Sequence, residues 1–251
     1  MRVDEPTLRG WIEASSSRME LWSRFAEGIA PRSVAEIGVY RGDFAARLLD
    51  ACPSIEAYYM IDPWRHLEDW NKPANKADDV FERFYAETLA KTDAHGDKRR
   101  VLRGKTTEVI DQVPDGTLDF AYVDGDHTLR GVTIDLVKVF PKLRDGGWMG
   151  GDDFCRNIWQ HKGSYEPTMV FPFAVHFAEA VGARIYALPH RQFALEKAPD
   201  RGFEFVDLTG RYDDLGLRRQ LRRHAAERQG AAAPEAAGGS LADRVKRRLS
   251  R

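Results

Sequence analysis

Acidic side chains stand directly after two segments of the sequence that are typical of β-strands. Asp124 follows the apolar segment 118–123, and Asp152 and Asp153 follow the glycine-rich segment 146–151. Carboxylates that are gathered and buried repel one another, so they need a compensating cation. An all-oxygen set of ligands without cysteine suits Mg²⁺ or Mn²⁺ rather than structural zinc. The sequence therefore predicts a metal site among these carboxylates, with Asp126 as either a further ligand or the cap of the following helix.

A histidine lies close to the same acidic residues. His127 follows Asp124 by three positions, within reach of a hydroxyl group held at the metal. The pKa of a free imidazole, about 6.5, suits a general base at neutral pH. An aliphatic hydroxyl is a poor nucleophile until a positive charge and a base activate it. We therefore predict that Asp124 and His127 are catalytic.

A short loop with two glycines follows the first predicted strand. It contains Glu36, Gly38, Tyr40 and Gly42, and its spacing lacks the third glycine of a dinucleotide-binding fingerprint. A carboxylate at the loop entrance would repel a phosphate but attract an ammonium group. The loop therefore favours S-adenosylmethionine, which carries an amino-acid moiety, over a dinucleotide.

Further polar residues follow the second and third predicted strands. Asp62 comes about two dozen residues after the glycine loop, where the ribose of a bound nucleoside offers two hydroxyls. Trp64 is a candidate to stack on the adenine or on the substrate, with packing inside the protein as the alternative. Gly104 and Thr106 are predicted to border the adenine. Together with the loop residues they form the predicted cofactor site.

The elements that must position these residues alternate between strands and helices. Apolar spacing predicts one or two leading helices in 8–29, strands at 33–38, 57–61, 100–102, 118–123 and 146–151, and helices at 44–51, 106–113 and 129–143. This alternation indicates an α/β, Rossmann-like fold with a mostly parallel central sheet and helices on both faces. Ligands of such folds bind at the carboxyl ends of the strands, which is where the predicted site residues fall.

Composition and charge exclude several classes of protein. The chain has 251 residues, of which 43% are hydrophobic and 31% charged, as in a folded globular protein. The net charge of −1 divides into −7 over residues 1–210 and +6 over 211–251, and an acidic body argues against a nucleic-acid partner. No apolar run approaches the roughly 18 residues of a membrane span, and the first residues lack a secretory signal. We expect a cytoplasmic protein without a membrane span.

These motifs together resemble the class I S-adenosylmethionine-dependent methyltransferases. The matching segments lie within about 34–154 and are Glu36-x-Gly38-x-x-x-Gly42, Ile61-Asp62-Pro63-Trp64, Val123-Asp124-Gly125-Asp126-His127 and 147–153. More narrowly, the sequence is similar to the metal-dependent O-methyltransferases of sugars and other hydroxylated natural products, including the macrolide-sugar type. This resemblance implies Mg²⁺ (or Mn²⁺) at Asp124, Asp152 and Asp153, with His127 as the base.

The sequence also predicts a domain organisation, and the resemblance implies a reaction. We predict an N-terminal helical cover at 1–30, a methyltransferase domain at 31–211 with an insertion at 64–98, and a basic, partly flexible tail at 212–251 rich in Ala, Gly and Arg. The implied reaction moves a methyl group from S-adenosylmethionine to a hydroxyl of a saccharide or glycoside. The acceptor is a small molecule or an oligosaccharide with vicinal hydroxyls. A homo-oligomer is expected, with a dimer as the first choice.

Two alternatives remain open at this stage. A catechol-type methyltransferase would use similar metal chemistry on phenolic hydroxyls, which are acidic enough to react with less help. A non-catalytic binding protein would keep the fold and use the Arg-rich tail to hold a partner.

The segments 65–98 and 156–173 contain aromatic residues and are the predicted region of acceptor recognition.

Overall fold

A computed structural model describes residues 3–231 of the chain. The chain divides into two compact units, Met1–Leu215 and Gly216–Arg251. The first unit contains the sheet and every predicted site residue. None of the helices in 3–231 combines the length and apolar character needed to cross a membrane.

The first unit is built on one sheet of eight strands. The strands are β1 Ser33–Ile37, β2 Ala57–Asp62, β3 Arg99–Arg103, β4 Leu118–Val123, β5 Leu143–Gly151, β6 Arg184–Leu188, β7 Gln192–Glu196 and β8 Glu204–Asp207. Their order across the sheet is β3-β2-β1-β4-β5-β7-β6-β8. The first five strands are parallel, whereas β7 runs antiparallel to both of its neighbours. This mixed sheet confirms the predicted α/β, Rossmann-like fold.

Helices cover the sheet on both faces. They are α1 Glu5–Glu13, α2 Arg18–Ile29, α3 Asp43–Ala51, α4 Asp78–Lys91, α5 Thr106–Val109, α6 Leu129–Val139 and α7 Val170–Val181. The second unit contains α8 Leu217–Ala231. Side-chain caps define where several helices begin, because the first backbone N–H groups of a helix have no partner within it. Asp4, Ser17 and Thr128 cap α1, α2 and α6 in this way.

Several features of the structure differ from the sequence prediction, and α7 is one of the elements that were not predicted. The insertion at 64–98 contains the 14-residue helix α4, which was not predicted. The predicted helix at 129–143 ends at Val139, because Pro141 lies in a following 3₁₀ turn and Leu143 already starts β5. The predictions also stopped at β5, so the three strands that complete the sheet were missed.

Two hydrophobic clusters form the core, one on each face of the sheet. On one face, the aromatic rings of α2 pack against β4 and β5. The ring centroid of Phe25 lies 5.8 Å from that of Phe120 and 5.3 Å from that of Trp148. Trp22 is fully buried in the same cluster. This packing fixes α2 on the sheet, with its first residue, Arg18, near the carboxyl ends of β4 and β5.

Candidate active site

A cavity of about 470 Å³ opens at the carboxyl ends of the parallel strands. Its volume is in the usual range for a small-molecule site. Nine of the predicted site residues line it, namely Glu36, Gly38, Tyr40, Asp62, Gly104, Thr106, Asp124, His127 and Asp153. Gly42, Trp64 and Asp152 do not line it. The fold therefore brings most of the predicted cofactor and catalytic residues to one place.

The loop between β1 and α3 depends on its two glycines. Gly38 has a φ of 88°, and a Cβ built on it would lie 2.2 Å from the carbonyl oxygen of Asp124. Only glycine therefore allows the loop to approach the end of β4 so closely. Gly42 has a φ of 74° and directly precedes α3. Its role is to shape the loop rather than to contact the cavity.

Glu36 is buried near the end of β1 and lines the cavity. It is 1% exposed, and the hydroxyl of Tyr58 donates a hydrogen bond of 2.8 Å to its Oε2. Burial raises the pKa of Glu36 well above its usual value, although the bond from Tyr58 opposes that shift. A cationic group entering the cavity would favour the ionised form of this carboxyl.

Asp62 ends β2, and backbone N–H groups hold its carboxylate in place. The N–H of Tyr40 donates to Oδ2 at 2.8 Å, and that of Trp64 donates to Oδ1 at 2.7 Å. Burial raises the pKa of Asp62, and these backbone bonds oppose the increase. Because a carboxylate oxygen can accept more than one hydrogen bond, both oxygens remain able to accept from ribose hydroxyls.

Trp64 does not occupy the position predicted for it. Its side chain is fully buried, and its indole N–H donates to the carbonyl of Tyr40 at 2.8 Å. Its ring packs against Tyr85 of α4 at a centroid distance of 5.1 Å. The prediction that Trp64 stacks on the adenine or substrate is therefore wrong in this structure, because α4 and the β1–α3 loop enclose the ring. Trp64 supports the cofactor loop instead.

A buried carboxyl borders the far side of the cavity beside Gly104 and Thr106. The hydroxyl of Thr106 donates a hydrogen bond of 2.6 Å to Oδ1 of Asp135, a residue of α6 that also lines the cavity. Burial raises the pKa of Asp135 to about 7, although the bond from Thr106 acts in the opposite direction. The sequence prediction included Thr106 but missed Asp135, whose position within a helix gave no sign that it faces a cavity.

The strands β4 and β5 bring together an acidic cluster that consists of Asp124, Asp152 and Asp153. The cluster forms because the two strands are parallel neighbours in register. Val123 pairs with Gly151, so the residues that follow, Asp124 and Asp152, come together at the sheet edge. In a regular strand Asp152 and Asp153 would point to opposite faces. Here β5 ends at Gly151 and Asp153 has a left-handed φ of 56°. This turn of the backbone brings the second carboxylate back to the cluster.

His127 lies between two of these carboxylates. Its Nε2 is 3.1 Å from Oδ1 of Asp124, and its Nδ1 is 2.6 Å from Oδ2 of Asp153. Burial alone would lower the pKa of His127, but the two carboxylates raise it to about 10. Burial likewise opposes ionisation of Asp153, yet the bond to His127 lowers the pKa of Asp153 to about 2. The two carboxylates therefore favour the imidazolium form of His127.

Arg18 is a candidate site residue that the sequence prediction missed, and it lines the cavity. Its Nη1 contacts Oδ2 of Asp152 and lies 3.4 Å from Oδ2 of Asp124. The prediction treated the leading helices only as a cover, because nothing in their sequence indicates which strands they cross. The packing of α2 on β4 and β5 is what brings this guanidinium to the cluster.

The carboxylates predicted to bind a metal do not fit one in this arrangement. All six of their oxygens lie within hydrogen-bond distance of a protein N–H donor, supplied by Arg18, His127, Gln160 and Gln192. Among the described residues, no group of three or more His, Cys, Asp or Glu side chains could hold a metal ion. The predicted site at Asp124, Asp152 and Asp153 is therefore not formed, because Arg18, His127 and two glutamine amides already contact these oxygens.

The two segments predicted to recognise the acceptor contact each other beside the cavity. The ammonium group of Lys72 donates to the backbone carbonyls of Glu166 and Pro167 at 2.8 and 3.1 Å. Trp70 and His161 line the cavity, and the indole N–H of Trp70 donates to Asp126 at 3.0 Å. The insertion and the segment after β5 therefore border the same cavity as the cluster.

Comparisons with known proteins agree with this fold. Residues 35–154 match the family model described as a methyltransferase domain. An O-methyltransferase from Bacillus cereus in complex with SAH has a similar structure, with 13% identity, a TM-score of 0.53, and 78% of this chain and 93% of that chain covered. The cofactor-bound protein Rv0187 from MTB is similar with 16% identity, a TM-score of 0.50, and 76% and 89% covered. No curated protein matches the chain in sequence.

The matched segment extends from β1 to the residues just after β5, so it contains the glycine loop, Asp62 and the acidic cluster. The structural similarity extends beyond this segment over about three quarters of the chain. Residues 35–154 therefore match a methyltransferase domain in sequence, and the chain shares its fold with solved methyltransferase structures such as that from Bacillus cereus.

Proposed function

We propose that the protein is an O-methyltransferase that transfers the methyl group of S-adenosylmethionine to a hydroxyl of a saccharide or glycoside. One observation carries this proposal. A single cavity extends from Glu36 and Asp62, which suit the cofactor, to Asp124, His127 and Asp153, which suit a hydroxyl. Residues 31–211 would form the catalytic domain, with the insertion at 64–98 beside the acceptor.

The cofactor would bind along β1, β2 and the loop after β3. The ammonium group of its methionine part would lie near Glu36, whose carboxylate is available in the ionised form once a cation neutralises it. The ribose hydroxyls would donate to Asp62, and the adenine would lie beside Gly104 and Thr106. This orientation directs the sulfonium toward Asp124 and His127, at the neighbouring strand end.

The chemistry would be an in-line displacement at the methyl carbon. The bond from the acceptor oxygen to carbon forms while the carbon–sulfur bond breaks, and the sulfur keeps the electron pair of the broken bond. A hydroxyl that replaces Asp124 at Nε2 of His127 would leave Nδ1–H held by Asp153. With only one carboxylate left to stabilise the imidazolium, Nε2 would first release its proton to solvent and could then accept the hydroxyl proton. Asp153 would thus orient the base.

A saccharide acceptor agrees with the lining of the cavity beside this cluster. Trp70 and His161 offer ring faces, and Lys72 and Asp126 contribute polar groups nearby. Aromatic faces and hydrogen-bonding side chains are a suitable combination for a sugar ring, which has both apolar C–H faces and hydroxyls. A catechol acceptor would need the aromatic faces but less help from a base.

No step of the proposed reaction uses the Mg²⁺ or Mn²⁺ ion that the sequence predicts. The carboxylates that would hold the ion are bonded to Arg18 and His127 instead. A divalent ion at this position would supply a charge to lower the pKa of the hydroxyl. Turnover should therefore be measured with and without EDTA.

A binding and transfer assay tests the proposal. Calorimetry should detect binding of S-adenosylhomocysteine to the full chain, and mass spectrometry should detect transfer from S-adenosylmethionine to members of a panel of glycosides and catechols. Transfer to glycosides but not to catechols supports the proposal, whereas transfer to catechols alone supports the phenolic alternative. Absence of cofactor binding would overturn both. Light scattering on the same samples tests the predicted homodimer.

A further inference from the structure

Arg18 stands where the predicted metal ion would have been needed. It is the first residue of α2, its side chain is 40% exposed, and it lines the cavity. Its Nη1 contacts the carboxylates of both Asp124 and Asp152. The guanidinium therefore lies at the boundary between the buried carboxylates and the space that a cofactor and an acceptor would share.

The charges of the cluster are compensated without a divalent ion. Three carboxylates face the guanidinium of Arg18 and the imidazole of His127. Gln192 donates to Oδ1 of Asp152 at 2.5 Å, and Gln160 donates to Oδ1 of Asp153 at 2.6 Å. A metal ion would have to displace these donors, including a guanidinium that remains charged at any relevant pH.

One edge of the guanidinium remains available. Within residues 3–231, Nε and Nη2 of Arg18 have no hydrogen-bond acceptor, since only Nη1 is bonded. The N–H groups of Nε and Nη2 point the same way and can donate two parallel hydrogen bonds. Two adjacent hydroxyls of an acceptor would match that spacing.

We propose that Arg18 takes the place of a metal ion, so that methyl transfer requires no divalent cation. This inference rests on the proposed function. The Nε and Nη2 edge binds the acceptor oxygens and stabilises the negative charge that develops on the nucleophile. The hydroxyl proton passes to His127, the new oxygen–carbon bond forms, and the sulfur leaves as a neutral thioether. The N-terminal helices thereby contribute a residue that contacts the substrate.

Manganese binding tests this inference without knowledge of the acceptor. Titration of Mn²⁺ followed by electron paramagnetic resonance should show no stoichiometric binding to the full-length protein. Arg18→Ala leaves Asp124 and Asp152 without their cation and should bind Mn²⁺ at least tenfold more tightly. Arg18→Lys keeps the charge and should behave as the unmodified protein does. Arg24→Ala is the matched control, because Arg24 lies on the same helix and bonds to the carbonyl of Ala14.

Turnover supplies the second measurement, on whichever glycoside of the panel is methylated. EDTA should change turnover of the unmodified protein by less than twofold, whereas Arg18→Ala should lower it at least 100-fold and Arg18→Lys should retain part of it. One Mn²⁺ bound per chain in the unmodified protein, or turnover that EDTA abolishes and Mg²⁺ restores, overturns the inference.

Calorimetry with S-adenosylhomocysteine separates the possible failures. If S-adenosylhomocysteine binds to the unmodified protein and to both Arg18 variants, the variants are folded. The manganese titration then tests the role of Arg18 alone. If the unmodified protein does not bind it, the proposed function fails, whatever the manganese titration shows.

Discussion

The indole of Trp22 lies directly on Gly150 of β5. A Cβ built on Gly150 would stand 2.2 Å from Cη2 of Trp22, closer than atoms can approach. Trp22 is one helical turn after Arg18, so the absence of a side chain at position 150 sets the distance between α2 and the sheet. A glycine in a strand thus determines where the guanidinium meets the carboxylates.

We predict that Gly150→Ala destabilises the protein and displaces Arg18. The new methyl group cannot be accommodated without moving a fully buried tryptophan, and overpacking of this kind costs about 1 to 3 kcal/mol. Urea denaturation should show that loss in the free energy of unfolding. Turnover per folded molecule should also fall, because α2 carries Arg18.

Gly163→Ala is the matched control for this substitution. No atom lies within 4 Å of a Cβ built on Gly163, so the variant should be as stable as the unmodified protein or slightly more so. Equal stability of the two alanine variants would show that Trp22 can move aside at little cost.

Much of the fold could be predicted from local sequence patterns. The five parallel strands and the glycine loop were recognised because apolar runs bounded by glycine and acidic residues are short-range signals. The strands β6 to β8 were missed, since nothing local shows that an apolar segment pairs antiparallel with β5. Helix α4 was missed because its many charged residues hide the apolar residues Phe81 and Phe84.

The same difference between local sequence patterns and long-range packing applies to the candidate site. Asp62, Asp124 and His127 follow strands, so the rule that ligands bind at strand ends placed them at the cavity. The contact of Arg18 with Asp152 joins residues 134 positions apart and depends on how α2 packs. Trp64 was assigned to the wrong environment because the sequence does not show that α4 covers it.

We predict that Gln192→Leu is strongly destabilising. Gln192 is fully buried, and its Oε1 accepts bonds of 2.8 Å from both Trp22 and Tyr122. Its Nε2 donates to Asp152 and to the carbonyl of His190. Leucine would leave several buried polar groups unpaired, at about 1 to 3 kcal/mol for each group that finds no water.

Denaturant unfolding at one pH measures this loss. Tyr122→Phe removes only one of the four hydrogen bonds of Gln192, so it should lower the free energy of unfolding by less. It therefore serves as the comparison for Gln192→Leu. If Gln192→Leu were no less stable than Tyr122→Phe, the amide would not be holding α2, β4 and the cluster together.

We predict that His127→Ala lowers turnover on a glycoside by roughly 10²- to 10⁴-fold, the usual contribution of a general base. Turnover on a catechol should fall much less, because a phenol is more acidic. The ratio of the two effects is the informative quantity, since a purely structural role would reduce both equally. His176→Ala, an exposed substitution on α7, is the control.

We predict that Asp62→Asn weakens binding of S-adenosylhomocysteine by about tenfold, corresponding to the loss of one charged hydrogen bond to ribose. The asparagine can still accept one of the two backbone bonds, so the fold should persist. Calorimetry measures the change, with the exposed Asp97→Asn as control. Unchanged affinity would place the ribose elsewhere in the cavity.

Stability should depend on pH through Asp135. Burial raises the pKa of this carboxyl to about 7 in the folded protein, from 3.8 without burial. The folded state therefore holds the proton more tightly than the unfolded state. The resulting contribution to stability is fully present below pH 3.8 and is lost as the pH rises through 7. A buried carboxylate without a proton then weakens the folded state.

Asp135→Asn should remove this dependence, because an amide does not ionise and can still accept the bond from Thr106. From pH 5 to pH 8, the free energy of unfolding of the variant should rise relative to the unmodified protein by about 2 to 3 kcal/mol. Urea denaturation at both pH values measures this, with Asp213→Asn, whose side chain is 81% exposed, as control. A difference that does not change with pH would show that Asp135 ionises as readily in the folded protein as in the unfolded chain, and that the cavity beside Thr106 is well hydrated.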